Sequence, residues 1–418
     1  MKKYVDLLDS SNLFGWKIIE IKKKTTELYY ILDKLETNRA TCETLYNVTV
    51  YVLENNKVGA STFDIYPYMD NEEIKRKIEL NKENAKYALN DYYELPKYEH
   101  LHKREINTNL ANDPIKVLEE VKSEIFSVKT DAYLSATEFF YNEIDERLIN
   151  SNGIDVKQKK YRLDIELIPT YKDVEIYKML SLENYDVKEI KEEVKTLLDL
   201  AIKRYEAKEL NLDSDVNIIL ENDEVAQLLS YFTDDLTYGA KYQHINLNEI
   251  NDNVQGSVIG DKLNIKMAPF YPGCINSTDF DSDGVILKEI ELINDGIAKK
   301  MYGSYRFGYY LKENNPTGIL PITVVEAGSK AFNDFKSDKY LRCVRFSNMQ
   351  LDNNTGFFGG EVRLGFLFDG EKEIPVTGFS ISGNINELKK ELYLSKELVT
   401  LENYHGPKYI LIKGMKVA

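Results

Sequence analysis

Cysteine and histidine are scarce in this chain, and each shortage removes a class of chemistry. The 418 residues include only Cys42, Cys274 and Cys343, which lie far apart and form no CxxC pair. This spacing provides neither a disulfide framework nor a thiolate metal site, so we expect reduced cysteines with a packing role. The four histidines are His100, His102, His244 and His405. None has a second histidine four or five residues away with an adjacent glutamate, which excludes a self-contained HExxH or HExxxH zinc helix.

Long apolar runs and clusters of positive charge are also missing. No stretch reaches the ~18 apolar residues that a membrane span needs, and the first residues do not resemble a signal peptide. The formal net charge is −15, whereas nucleic-acid affinity depends on clustered Lys and Arg that release counterions. The patterns GxxxxGKS/T, GxGxxG and GxSxG do not occur either. We therefore expect a cytoplasmic protein without a membrane or nucleic-acid partner.

Two local clusters leave a metal site open as an alternative. His100 and His102 would share one side of a strand and could hold a metal with a third ligand, or they are solvated side chains in a polar loop. The second cluster consists of Asp279, Asp281 and Asp283. Together with Gly284 these aspartates match the first half of a calcium loop, but Ile290 occupies the twelfth position, where that loop needs Glu. The segment is more typical of an Asp- and Gly-rich turn between strands.

The first half of the chain mixes strand and helix signals. The predicted elements are strands at 16–21, 45–53 and 58–65, a strand or helix at about 28–35, helices that begin at Asp70 and at Asp113-Pro114, a hairpin turn at Asn152-Gly153 and a helix at about 187–210. Asp followed by Glu three residues later, or by Pro at the first helical position, is a helix start signal. Ile115 and Tyr205 are among the residues expected on the buried helix faces.

A polar turn at 211–215 is the predicted domain boundary, because it separates helix-bearing sequence from strand-dominated sequence. One more helix follows at about 223–236, and short strands with Gly, Asn and Asp turns make up the remainder, including a hairpin at Asp369-Gly370. The predicted fold class is α+β. Residues 1–211 would form an N-terminal layered domain of antiparallel strands and helices, and residues 212–418 a β-rich C-terminal domain.

Several short segments, each a glycine turn or strand, occur in an order that carries a family resemblance. They are Asn150–Ile154, Phe280–Val285, Ile290–Ile297, Asn348–Leu351, Gly359–Gly360, Pro375–Asn384 and His405–Pro407. Pro375–Asn384, for example, reads PVTGFSISGN, similar to a terminal pattern "P-V-x-G-x-x-I-x-G-N". In this order the segments resemble the TldD/PmbA family of peptide-maturation metalloproteases, also called the modulator of DNA gyrase family.

The resemblance implies membership of the PmbA-like branch, which lacks the zinc motif and is expected to pair with the branch that has it. The helix at about 223–236 is similar to the zinc helix, and Ser230, Tyr231 and Asp235 occupy the positions of the first His, the Glu and the last His of HExxxH. Ser and Tyr are poor zinc ligands, and the general-base carboxylate is missing. The glycine turn at 357–360 also lacks the cysteine expected in a zinc-binding relative. We therefore expect no catalytic residue and no metal in this chain.

The function that the resemblance implies is that of a PmbA-like, non-catalytic subunit of a TldD/PmbA-type zinc metallopeptidase. Its partner would be an HExxxH-containing TldD-like subunit that carries the zinc, and the two would hold an extended peptide, which can bind by adding a strand to a sheet edge. Two alternatives stay open. One is a free-standing homodimeric peptide-binding or scaffold protein without protease activity, and the other is a hydrolase that uses the carboxylates near 279–283.

Overall fold

The computed structural model describes residues 1–97, 99, 104, 107–212, 215–337 and 339–418, with only the backbone at 337. Eight antiparallel strands form the first sheet, in the order β4-β3-β2-β1-β5-β6-β7, and β8 also pairs with β6. These strands are β1 (Gly15–Ile31), β2 (Lys34–Glu54), β3 (Lys57–Ile65), β4 (Leu89–Asp91), β5 (Tyr133–Asn150), β6 (Asp155–Tyr171), β7 (Val174–Glu175) and β8 (Lys178–Leu182).

Two long hairpins build the centre of this sheet. In the hairpin of β5 and β6, the Asn150 side chain accepts hydrogen bonds from the backbone N–H groups of Asn152 and Ile154, at 2.9 and 3.0 Å, which closes the turn at the predicted position. The hairpin of β1 and β2 corrects the prediction for residues 28–35. This segment is neither a helix nor a separate strand, because β1 runs to Ile31 and Tyr30 pairs with Leu35 across the turn.

Four helices pack on the first sheet and enclose two separate cores. They are α1 (Lys2–Asp9), α2 (Asn71–Ala85), α3 (Pro114–Ser127) and α4 (Val187–Glu206). The predicted caps are present, since the side chain of Asp70 accepts from the Glu73 N–H at 2.8 Å and that of Asp113 accepts from the Ile115 N–H at 2.8 Å. α1 and α2 pack over the Trp16 end of the sheet, whereas α3 and α4 pack over the Leu28 end.

Three details of these helices differ from the prediction. α4 ends at Glu206 and not near 210, because residues 208–209 form a short strand of the second sheet. Ile115 is 56% exposed and Tyr205 is 43% exposed, although both were expected on buried faces. Each is the residue next to a helix terminus, Ile115 at the start of α3 and Tyr205 at the end of α4.

The second half of the chain contains two further sheets and short helices. The strands are β9 (Lys208–Glu209), β10 (Val216–Glu221), β11 (Ile265–Ala268), β12 (Ile290–Asn294), β13 (Ile297–Ala298), β14 (Ile322–Val325), β15 (Tyr340–Leu351), β16 (Phe357–Phe368), β17 (Glu373–Thr377), β18 (Phe379–Asn384), β19 (Tyr393–Leu394), β20 (Leu398–Thr400), β21 (Tyr404–Pro407) and β22 (Tyr409–Met415). The α-helices are α5 (Asp223–Asp235), α6 (Tyr238–Tyr242), α7 (Tyr305–Tyr310) and α8 (Ile385–Leu388). Short 3₁₀ helices lie at Phe332–Ser337 and Lys389–Glu391.

The second sheet has the order β19-β22-β10-β15-β16-β17-β9, and β18 also pairs with β16. The residues after β22 return to β18, where Ser380 and Ala418 exchange backbone hydrogen bonds of 2.7 and 3.0 Å. The third sheet has the order β13-β12-β11-β14-β21-β20. One large core lies between these two sheets and α5.

The predicted α+β class is confirmed by the antiparallel first sheet with its helices and by the strand-dominated second half. The domain boundary at 211/212 stays a prediction, and β9, just before it, already pairs with β17. Cys274 and Cys343 are buried as packing residues, whereas Cys42 is exposed on β2. Within the described part of the chain, no helix combines the length and the apolar character that crossing a membrane requires.

Candidate functional site

The helix α5 occupies the centre of the candidate site. It follows β10 directly through Asn222, whose φ of 54° is positive, which Asn tolerates better than most residues. Its apolar stripe is fully buried in the core between the second and third sheets, through Val225, Leu228, Leu229 and Phe232. A helix buried in this way is held rigidly, so the positions of its polar side chains are well defined.

The three zinc-motif positions of α5 all make hydrogen bonds within the fold. The Ser230 hydroxyl donates to the Gln227 carbonyl at 2.8 Å. Tyr231 is 2% exposed, and its hydroxyl donates to Asn386 Oδ1 at 2.9 Å. These two contacts hold both side chains in place, and neither side chain is available as an anionic metal ligand.

Asp235 is the one carboxylate of the three positions, and it anchors the loop after α6. It is 8% exposed. Its oxygens accept from the backbone N–H of Leu247 and from both the backbone N–H and the side-chain amide of Asn248, the last two at 3.1 and 2.7 Å. A carboxylate that accepts three hydrogen bonds is largely saturated, so it serves the loop and not a metal ion.

The electrostatics around α5 favour neutral side chains. Burial raises the pKa of Tyr231, against the opposite effect of its hydrogen bond to Asn386, so the phenol keeps its proton at neutral pH. Burial also raises the pKa of Glu224 to about 7. Among the residues described, no three His, Cys, Asp or Glu side chains are grouped so that they could hold a metal ion.

A groove of about 640 Å³ lies beside α5, lined by Gln227 and by the β15–β16 hairpin residues 348–352 and 357–359. β15 pairs with β10 only as far as Cys343, and from Arg345 onward its pairing is with β16 alone. The other edge of this part of β15 lies towards α5, where Gln227 Nε2 donates to the Met349 carbonyl at 2.9 Å. An open strand edge beside a groove is the geometry that accepts an extended peptide.

The aspartate turn at 279–284 is a contact between the two halves of the chain. Asp281 is 7% exposed and accepts from the backbone N–H groups of Asp283, Val285 and Ile319 at 2.9, 3.0 and 3.1 Å. Burial raises the pKa of Asp281 to about 6, with a further contribution from Asp283.

The other two aspartates of this turn contact cations of the N-terminal half. Asp283 forms an ion pair of 3.0 Å with Lys17 on β1, and Asp279 lies 3.4 Å from Arg104 Nε. The three carboxylates therefore have separate protein partners, which favours the turn interpretation over the calcium loop. The strand expected directly after the turn begins only at Ile290.

The two histidines considered as metal ligands, His100 and His102, lie outside the described residues, and a metal site there stays an alternative from the sequence. His405 stacks on Tyr271 with 4.0 Å between ring centroids, and its Nδ1 lies 2.9 Å from the Thr400 hydroxyl. This histidine belongs to the third sheet and is engaged with neighbouring side chains.

The fold and the site together define an α+β protein with the buried helix α5 packed in the core of its second and third sheets. Residues 213–418 match the sequence profile of the PmbA/TldA metallopeptidase C-terminal domain. The chain belongs to the TldD/PmbA family, as the order of its C-terminal segments predicted. No curated protein matches the chain in sequence.

Solved structures share the fold over the entire chain. TldE from Thermococcus kodakarensis is 17% identical, with a TM-score of 0.77 and 100% of both chains covered. A putative modulator of DNA gyrase from Bacteroides thetaiotaomicron is 16% identical, with a TM-score of 0.81 and coverage of 100% of this chain and 97% of that one. A second putative modulator of DNA gyrase, from Thermotoga maritima, is 16% identical, with a TM-score of 0.78 and full coverage of both chains.

Sequence reasoning predicted α5 and placed Ser230, Tyr231 and Asp235 on it, but it missed their partners. Gln227, Asn386 and the loop at 247–248 carry no motif that marks them, and the first two are hydrogen-bonded to residues more than 100 positions away. Only a tertiary structure identifies such contacts.

Proposed function

We propose that this chain is the non-catalytic, PmbA-like subunit of a TldD/PmbA-type zinc metallopeptidase that processes peptides. The observation that carries the proposal is the set of contacts made by Ser230, Tyr231 and Asp235. All three side chains form hydrogen bonds within the fold, at the positions where a catalytic relative would carry its two zinc-binding histidines and its general base.

These residues do not fit a zinc ion. A structural or catalytic zinc site needs at least three Cys, His, Asp or Glu ligands, and the three motif positions of α5 offer one carboxylate, which already accepts three hydrogen bonds. The nucleophilic water and the polarisation of the peptide carbonyl would therefore come from the partner, an HExxxH-containing TldD-like subunit.

The contribution of this chain would be to position the peptide. The open edge of β15 and the groove beside α5 support this role, because an extended peptide that adds a strand there would lie next to the helix. We also place the complex in the cytoplasm, where the free thiols of Cys42, Cys274 and Cys343 would stay reduced.

The decisive experiment is metal analysis and a peptide-cleavage assay on the chain alone and on the chain co-expressed with an HExxxH relative from the same genome. We expect zinc and chelator-sensitive cleavage only in the co-expressed sample. A matched co-expression in which the relative's motif Glu is replaced by Gln should keep the complex and lose cleavage.

Two outcomes would contradict the proposal. Stoichiometric zinc and cleavage by the chain alone would make it an enzyme in its own right. A homodimer that never co-purifies with the relative would favour the free-standing peptide-binding or scaffold protein.

A further inference from the structure

A second groove, between the two halves of the chain, is bordered by two open strand edges. Its volume is about 660 Å³, and residues 177–182 and 399–403 line it. Among the described strands, β8 is an edge of the first sheet that pairs with β6 alone, and β20 is the last strand of the third sheet and pairs with β21 alone. Edge strands expose unpaired N–H and C=O groups, and folded proteins normally cover them or break them with bulges and charges.

Arg345 on β15 also lines this groove. The pairing register of β15 with β16 shifts on both sides of this residue, and such bulges redirect side chains. Its Nε is buried and has no hydrogen-bond partner, and no carboxylate of the described chain lies within ion-pair distance of the guanidinium. A buried guanidinium N–H without an acceptor is unfavourable, so a ligand that supplies an acceptor gains affinity.

Arg345 shares the groove with two other cations, Lys178 and Lys408. Lys178 is 3.8 Å from Asp223, so these two charges largely offset one another. Burial raises the pKa of the neighbouring Glu224 to about 7, which reduces its negative charge at neutral pH. Glu193 and Glu402 also line the groove, so its overall charge is mixed. We attribute the preference for a carboxylate to Arg345, whose Nε lacks an acceptor, and not to Lys408, whose ammonium lies over the Tyr409 ring.

The groove is close to the candidate peptide site beside α5. Asp223 lines the groove between the halves, and Gln227 lines the groove at the β15 edge. These residues are about one helical turn, or ~6 Å, apart along α5. A single extended chain that passes α5 would meet both grooves.

We propose that the groove between β8 and β20 binds an extended, acidic polypeptide segment, which pairs with the open strand edges and places a carboxylate against Arg345. This inference rests on the proposed function, because it assumes that the ligand is a peptide, and it adds a binding site separate from the α5 groove. The substrate would be long enough to extend beyond the partner's active site, and it would carry an acidic residue outside that active site.

The test is hydrogen exchange of the full chain, read by mass spectrometry, with and without an unstructured peptide of alternating Thr and Glu. The matched probe is the same peptide with Gln in place of Glu. We expect the Glu peptide to protect backbone amides at both 178–182 and 398–403, and to bind about tenfold more tightly than the Gln peptide.

Variants of two arginines sharpen the test. Arg345→Met should remove the preference for the Glu peptide, and Arg345→Lys should keep part of it. Arg363→Met is the matched control, because Arg363 is half exposed, pairs with Glu361 on β16 and does not line the groove, so the preference should be unchanged. Circular dichroism of each variant checks that it is folded.

Three outcomes would overturn the inference. Protection confined to 348–352 would place the peptide in the α5 groove alone. Equal binding of the Glu and Gln peptides, or an unchanged preference in a folded Arg345→Met variant, would remove the role of Arg345. Because the experiment uses the chain without its partner, any of these results is compatible with zinc-dependent cleavage by the co-expressed complex and so is distinguishable from failure of the proposed function.

Discussion

Asp235 offers a direct test of the idea that the zinc-motif positions of this chain serve the fold. In the variant Asp235→Ala, the backbone N–H groups of Leu247 and Asn248 and the Asn248 side chain lose their acceptor. A hydrogen bond to a charged group contributes about 1.5–3 kcal/mol. Leu247 is 51% exposed, so water can reach the loop and replace part of the lost hydrogen bonding. We therefore expect the free energy of unfolding to fall by about 2–3 kcal/mol, which is less than the sum of three such bonds.

The assay is urea unfolding followed by circular dichroism. Asp235→Asn retains one acceptor oxygen and should lose about half as much stability as Asp235→Ala. Glu36→Ala, an exposed residue on β2, is the control and should change stability by less than about 0.5 kcal/mol. Asp235→His should be destabilised like Asp235→Ala and should bind no zinc, because Ser230 and Tyr231 supply no further ligand. If Asp235→Ala unfolds at the same urea concentration as the wild type, the carboxylate is not a structural anchor and our reasoning about α5 is wrong.

Three further predictions concern buried polar groups. The folded pKa of Asp281, about 6, lies above its ordinary value of 3.8, so its stabilising contribution is fully present below about pH 4 and is lost as the pH rises through 6. Two pKa units correspond to about 3 kcal/mol, so the stability difference between Asp281→Asn and the wild type should shift by up to that amount between pH 4 and 7 in urea titrations; a constant difference would refute this. Tyr231→Phe removes the hydrogen bond to Asn386 and should cost about 1 kcal/mol in thermal or urea unfolding, whereas a cost above 3 kcal/mol would indicate a larger role for the hydroxyl. Arg342→Met leaves its two glutamate partners without a counter-charge, one of them 7% exposed, and should cost about 3–5 kcal/mol in urea; a loss below 1 kcal/mol would contradict the ion-pair assignment.

Local signals explain which parts of the fold were predictable. The caps at Asp70 and Asp113 and the turn at Asn150 depend on side chains that bond to backbone groups two to four residues away, so the sequence is sufficient to place them. Residues 28–31 were ambiguous for the opposite reason. They are strand because β1 pairs with both β2 and β5 along its length, and this pairing outweighs weak local preference.

The candidate site was also predictable only in part. Ser230, Tyr231 and Asp235 were placed on one helix from sequence order alone, and the absence of a zinc ligand set from α5 also follows from residue identity. The roles of these side chains did not follow, because Asn386 and the loop at 247–248 reach α5 only after the sheets have packed.

The sequence by itself determined the helix caps, the hairpin turns, the α+β class and the family, because each depends on residue types at short spacing or on the order of short segments. Only the tertiary structure decided that the aspartates at 279–283 join the two halves of the chain, and that β8, β20 and Arg345 border one groove. The two ion pairs, and the approach of β8 to Arg345 and β20, join residues more than 150 positions apart. Their formation depends on burial and strand pairing across the whole fold, which no local pattern encodes.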